Sequence, residues 1–329
     1  MSKDTEKRAP KTPEERGYTI LDIHAHPSVK DGGVPPVMRY ALSLKKYLEP
    51  RWTGKSGNRT MEDLIDEMPV LADLVGILKK HGIKSTPVAW DAESGTGEKP
   101  VTNDFVAKIV KEHPEAFLCG WGSVDPWKGV AALQEAERCI KELNLIGLKF
   151  QQASQRFHVN DKRFYPLWDL CQDLGAVVQF HSGYTGLGSG GPGGDGMYCM
   201  SYCRPLEVDE VAADFPRLKI ILLHASEPWP WEANMVALHK RNVVRETSGI
   251  WPRYFPHEML YDMNRRLQDK FLFGSEWPYF NTDELLKQWE ELDLRPGVLE
   301  KVMYKNALNF LGEELERVGA DLSPWKGLY

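Results

Sequence analysis

The chain alternates between short apolar runs and longer segments whose apolar residues recur at helical spacing. The first run, Thr19-Ile20-Leu21-Asp22-Ile23-His24-Ala25-His26-Pro27, is rich in branched residues. It reads as a buried parallel strand that Pro27 ends. A polar segment with Pro and Gly follows over 28–59. It is too long for an ordinary connection, and such insertions often serve as lids or substrate loops. Helical spacing returns over 61–80, with Pro69 as a kink or break and His81-Gly82 as the stop. A second strand is expected over 84–90.

A regular rhythm then sets in. Strands are expected over 116–124, 145–150, 176–180, 218–223, 243–247 and 270–273. Helices over 103–112, 130–143, 163–174, 208–214, 231–239, 257–267 and 283–292 separate and follow them. The strands lack strict alternation, as expected where helices cover a parallel sheet. Eight strand-then-helix units predict an α/β protein, a (β/α)8 TIM barrel, which needs roughly 250 residues. Its expected limits are 18–312, with 28–59 as the inserted segment and 298–311 as a last helix. Residues 1–17, charged and Pro-containing, are expected to form a flexible arm, and 313–329 a C-terminal tail.

Composition narrows the function. The 329 residues are 42% hydrophobic, enough for a large core, and carry a net charge of −6. No basic patch suggests nucleic acid or an anionic membrane as partner. No apolar run approaches the roughly 18–20 residues of a membrane span. Five cysteines, an odd number at irregular spacing, fit a reduced, cytoplasmic setting. Cys199 and Cys203 lack the second pair that would make a metal motif.

The histidines change the picture most. Residues two apart in a strand point to the same side, so His24 and His26 aim two imidazoles at one place. His181 ends the fifth strand, His224 the sixth, and Glu276 the eighth. Active sites of such barrels lie at the strand C-termini, and closure puts strand eight beside strand one. His24, His26, His181 and Glu276 are therefore expected to hold one divalent metal ion, with room left for water. His81, His113 and His239 fall at helix C-ends, where the helix dipole explains them. Cys, Arg and aromatic residues add less. Arg204 and Arg253 lie on loops at the same face and are candidate clamps for a carboxylate or phosphate. Trp229, Trp251, Tyr254 and Trp277, with Trp90, Trp121, Trp231, Phe255 and Tyr279, suggest a flat apolar substrate. The glycine-rich stretch from Leu187 to Met197 reads as a mobile lid rather than a phosphate loop.

Further motifs join the strand-end histidines. They are Gly147-Leu148-Lys149-Phe150, Val177-Val178-Gln179-Phe180-His181-Ser182-Gly183, Asp214-Phe215-Pro216-Arg217-Leu218-Lys219, Phe273-Gly274-Ser275-Glu276-Trp277-Pro278 and Lys305-Asn306-Ala307-Leu308-Asn309-Phe310-Leu311-Gly312. In this order they resemble the amidohydrolase superfamily. More narrowly, they resemble the amidohydrolase-related branch that contains aminocarboxymuconate semialdehyde decarboxylase. The resemblance implies one metal, usually zinc, with manganese as the alternative, and acid–base work for His224. That branch usually carries Asp where this chain has Glu276, which leaves Glu276 as ligand, as base, or as the mark of a site without metal. Some superfamily members carboxylate a lysine on strand four. Here Lys149 is expected beside the site and unmodified.

Three functions are in view. The first is a metal-dependent hydrolase that uses metal-activated water to cleave a C–C or acyl bond next to a carbonyl in an aromatic substrate. The resemblance of Tyr202-Cys203-Arg204-Pro205 and the long loop before it to a hydrolytic subgroup points to an aryl β-ketoacyl thioester, and so to a CoA-linked partner. The second is a lyase: non-oxidative decarboxylation of an aromatic or unsaturated acid. The third is a metal-free, non-catalytic binding barrel. The first two place the protein in aromatic compound catabolism. A homodimer is one possible assembly.

Overall fold

The computed structural model describes residues 9–30, 32–41, 66–197 and 199–328. Most of the expected insertion, the start of the 61–80 helix and the first half of the arm lie outside them. The described residues form eight strands: β1 (Ile20–Ala25), β2 (Ile83–Pro87), β3 (Trp121–Gly122), β4 (Gly147–Phe150), β5 (Val177–His181), β6 (Ile220–Leu223), β7 (Val243–Glu246) and β8 (Phe271–Leu272). All pairings are parallel, β1 with β2 and β3 through β8 in sequence order.

Two seams close the barrel. Single bridges join Ser85 to Phe117 and Val88 to Trp121 between β2 and β3. On the other side, the Ile23 amide donates to the Phe273 carbonyl and the Glu276 amide to the His24 carbonyl, both at 3.0 Å. The second of these bonds puts Glu276 directly beside the histidine strand.

Every residue of β1, β4, β5, β6 and β7 is buried, which explains the apolar runs without alternation. The helices bury one face each. In Asn103–Glu112 the Thr102 hydroxyl caps the start by accepting from the Phe105 amide, and Val106 and Ile109 face the core. Two apolar clusters join strands to helices, one around β1, β2 and β8 and one around β4, β5 and β6.

The described residues near each end, 9–17 and 313–328, pack on the barrel. Pro13–Arg16 is a turn of helix with a capping box, and its Arg16 guanidinium donates to the His81 carbonyl. The last helix, Asn306–Arg317, runs on past 311. Beyond it Trp325 is fully buried and donates to the Thr19 carbonyl at 2.7 Å, across the base of β1. A buried indole with its N–H satisfied explains why these residues pack. Among the described residues no helix is long and apolar enough to cross a membrane.

Candidate metal centre and its cavity

β1 delivers His24 and His26 to the C-terminal mouth, and the turn after β8 brings Glu276 back over them. His26 Nε2 lies 3.2 Å from Glu276 Oε1, and His24 Nε2 lies 3.4 Å from Glu276 Oε2. One carboxylate thus presents an oxygen to each imidazole. Glu276 adopts a left-handed backbone, φ 53°, as does His224 at φ 70°. Such conformations in residues with a side chain are costly and cluster at functional sites.

The tautomer of His24 follows from its neighbours. The Gln179 amide nitrogen donates to the Ile23 carbonyl at 2.9 Å, so its oxygen is the atom turned to His24 Nδ1, at 3.1 Å. Nδ1 therefore carries the proton and Nε2 a lone pair. That Nε2 is buried and has no hydrogen-bond partner. Burial pulls the His24 pKa well below its ordinary value, and lowers His26 too, so both rings are neutral. Burial would raise Glu276, but the positive charge that His224, His24 and His26 would carry if protonated, with the hydrogen bond to His26, outweighs it and holds the carboxyl well below the usual range, so it is ionised beside neutral rings. A lone pair facing a carboxylate oxygen is repulsive unless a cation stands between them. The ligand atoms of His24, His26 and Glu276 lie within 4.8 Å of one another. Two imidazole nitrogens and a carboxylate at that spacing fit a divalent ion.

The other two strand-end histidines stand next to this trio. The His224 ring lies 5.5 Å from that of His24 and 4.5 Å from that of His181, centroid to centroid. His181 Nε2 is 3.2 Å from the Tyr184 carbonyl oxygen, which only accepts, so this nitrogen carries the proton. His224 Nδ1 is 3.0 Å from the Ser248 hydroxyl and 3.5 Å from Glu276 Oε2. Burial lowers both pKa values, that of His181 strongly.

A cavity of about 320 Å³ opens above these residues. His26, His181, His224, Glu276 and Lys149 line it, with Trp90, Tyr184, Tyr279 and Phe280 as its aromatic walls.

A family model described as Amidohydrolase matches residues 21–312, nearly the whole barrel. The chain belongs to the amidohydrolase family. Among curated relatives of this amidohydrolase is the gamma-resorcylate decarboxylase of Polaromonas sp. strain JS666. The two are 24% identical over 282 residues, covering 71% of this chain and 85% of that protein. The 2-amino-3-carboxymuconate-6-semialdehyde decarboxylase of Dictyostelium discoideum is 34% identical over 239 residues, 64% of this chain and 65% of that protein. The fold is similar to that of 5-carboxyvanillate decarboxylase from Novosphingobium aromaticivorans. That structure is a complex with manganese and 4-hydroxy-3-methoxy-5-nitrobenzoic acid, and the TM-score is 0.67 at 14% identity, covering 94% of this chain and all of the other.

Several expected substrate contacts of the amidohydrolase lie elsewhere. Arg204 pairs with Glu232 at 2.7 Å, and Arg253 sits 3.8 Å from Glu284. Neither is among the described residues that line the cavity, nor are Trp229, Trp251, Tyr254 and Trp277. Tyr254 is exposed and Trp277 is buried in the core. Trp251 reaches the cavity wall only through Phe280, with ring centroids 4.8 Å apart. The glycine-rich stretch contributes its leading edge, Gly186 and Leu187.

Four supporting residues were not singled out from the sequence. Gln179 orients His24. Asp22 accepts from the Ser85 and Ser275 hydroxyls and the Ser275 amide, fastening β1 to β2 and to the turn that carries Glu276. Burial pushes its pKa up to about 6. Ser248 and Glu246, at the end of β7, lie behind His224 and Glu276. Each is a polar residue set in or just after an apolar strand, a signal that could have found them.

Proposed function

We propose that this protein is a metal-dependent, non-oxidative decarboxylase acting on an aromatic or unsaturated carboxylic acid. The observation that carries the reading is the unpartnered His24 Nε2 facing Glu276, whose carboxylate lines an aromatic-walled cavity. The named activities of the two curated relatives support it over thioester hydrolysis. At about 320 Å³ the cavity is also at the small end of ligand sites, which span roughly 300–1,000 Å³, and suits a single ring.

His24, His26 and Glu276 would hold the ion, and His181 beside them would join only on giving up the Nε2 proton that it now directs to the Tyr184 carbonyl. The manganese in the Novosphingobium structure puts that metal beside zinc as a candidate. A bound divalent ion supplies positive charge that orients the acid's oxygens and stabilises charge developing on them. The protein's own residues do the rest. Trp90, Tyr279 and Phe280 hold the ring and exclude water. His224 has Nδ1 engaged by Ser248, which leaves Nε2 for the substrate and makes His224 the group that moves a proton. Decarboxylation requires that a proton reach the carbon bearing the carboxylate. The C–C bond then breaks, its electron pair returns to the ring, and carbon dioxide leaves.

The test is a product analysis in D2O with metal-loaded protein and two probes, 2,6-dihydroxybenzoate and 5-carboxyvanillate. The reading expects an arene with deuterium at the former carboxyl carbon and release of carbon dioxide. Cleavage of an aryl β-ketoacyl thioester, with both acids left intact, would return the assignment to hydrolysis.

A further inference from the structure

Lys149 is fully buried on β4, 1% exposed, and it is the one Lys or Arg among the described residues that line the cavity. Its Nζ stands 4.3 Å from the centroid of the Trp90 ring. Among the described residues no carboxylate pairs with it, whereas Arg204 and Arg253 outside the cavity each face a glutamate. Burial pulls the Lys149 pKa down to about 8, although the Glu276 carboxylate acts on it through space, because a buried charge is fully balanced only by a partner in direct contact. The indole face offsets part of the cost of burial. With no carboxylate in direct contact among the described residues, Nζ is left able to take an anion that enters the cavity.

The surroundings fix where that anion would sit. Lys149 is in register with Gln179 on β5, so both side chains project into the barrel one strand apart, and Gln179 holds His24. Trp90 is pinned by its own N–H, which donates to the Ser154 hydroxyl at 3.2 Å, and its ring centroid lies 5.2 Å from that of His26. Trp90 therefore touches both the His26 imidazole and the Lys149 ammonium. A planar acid lying in the cavity can reach His26, Glu276 and Lys149, all of which line it. A carboxylated Lys149 bridging two metals would need a second set of ligands, and the described residues form only the one cluster.

We propose that Lys149 Nζ receives a carboxylate of the substrate and so selects acids over their neutral counterparts at this site. The inference rests on the decarboxylase reading for the substrate class, but it is tested by binding rather than turnover.

Metal-loaded wild type, Lys149→Met and Lys149→Arg are titrated with 2,6-dihydroxybenzoate and with its neutral isostere 2,6-dihydroxybenzamide, and metal content is measured for each. Loss of a charge-assisted hydrogen bond predicts about 10- to 100-fold weaker binding of the carboxylate to Lys149→Met. Amide binding stays within about threefold on the same scale, and Lys149→Arg keeps part of the carboxylate preference. Equal loss for both probes, no loss, or a wild type that does not prefer the carboxylate overturns the assignment. Should the variants fail to fold, reductive methylation of the native protein decides. The carboxylate should protect Lys149 from labelling and the amide should not, and labelling unaffected by the carboxylate contradicts the proposal. The expected affinities without release of carbon dioxide would count against decarboxylation and leave the Lys149 assignment standing.

Discussion

Ser248 Oγ lies 2.7 Å from Glu276 Oε2, so the carboxylate that faces the histidine pair is also held from behind by a hydroxyl. The same oxygen is 2.8 Å from Glu246 Oε2 and 3.0 Å from His224 Nδ1. Ser248 has one proton for these partners. Glu246 is fully buried, and burial together with the nearby Glu276 charge pushes its carboxyl well above the usual range. A protonated Glu246 supplies the second hydrogen that the cluster needs.

Ser248→Ala removes this support without replacing any proposed ligand. Outer partners of metal ligands typically contribute about 10- to 100-fold in affinity or activity. The variant should keep its metal at saturating concentration and lose turnover within that range. Steady-state kinetics with metal content measured in parallel checks this, and unchanged turnover would remove Ser248 from the account.

Glu276 separates charge from reach. Glu276→Gln keeps the shape but cannot balance a cation, and it should lose most of the metal and most of the activity. Glu276→Asp is shorter by one methylene and restores the residue usual in this branch of the family. It should retain metal, with activity between those of wild type and Glu276→Gln. Elemental analysis of the two variants is the measurement. Full metal in Glu276→Gln would mean that the carboxylate is not a ligand.

His224→Asn tests the proton-moving role. The metal should stay, and turnover should fall by about a hundredfold to ten-thousandfold, the usual contribution of a general acid or base. Loss of metal along with turnover would make His224 a ligand instead.

The same variant has a signature in pH. Burial lowers the His224 pKa below 6.5 in the folded protein. As pH falls below about 6.5, the unfolded chain takes up a proton that the folded chain resists, so this histidine makes the fold less stable there. Metal-free His224→Asn should therefore gain stability relative to wild type as pH drops through that window, read from thermal midpoints at several pH values. A constant difference, or one that shrinks on acidification, would contradict the burial argument.

Much of the barrel was legible because its strands are apolar runs that end in chemistry, as β1 does at His24 and β8 before Glu276. Parallel closure then joins those two ends, a consequence of topology that needs no side-chain detail. The supporting residues were harder to see. Gln179 and Asp22 are single polar residues among apolar neighbours, Glu246 sits in a polar strand end after Arg245, and only the structure shows which oxygen meets which nitrogen. Arg204 and Arg253 looked like anion clamps because their partners, Glu232 and Glu284, lie 28 and 31 residues further along. The orientation of long loops likewise decided the aromatic wall. Trp90 and Tyr279 face the cavity, while Trp229 and Tyr254 do not line it.

The most direct test of the account is metal titration of chelator-stripped protein, with carbon dioxide release from 2,6-dihydroxybenzoate followed at each addition of manganese or zinc. The account predicts no activity in the stripped protein, recovery that saturates at about one ion per chain, and neither binding nor recovery in His24→Ala/His26→Ala. Decarboxylation by the stripped protein, or one tightly bound ion in the double variant, would contradict it.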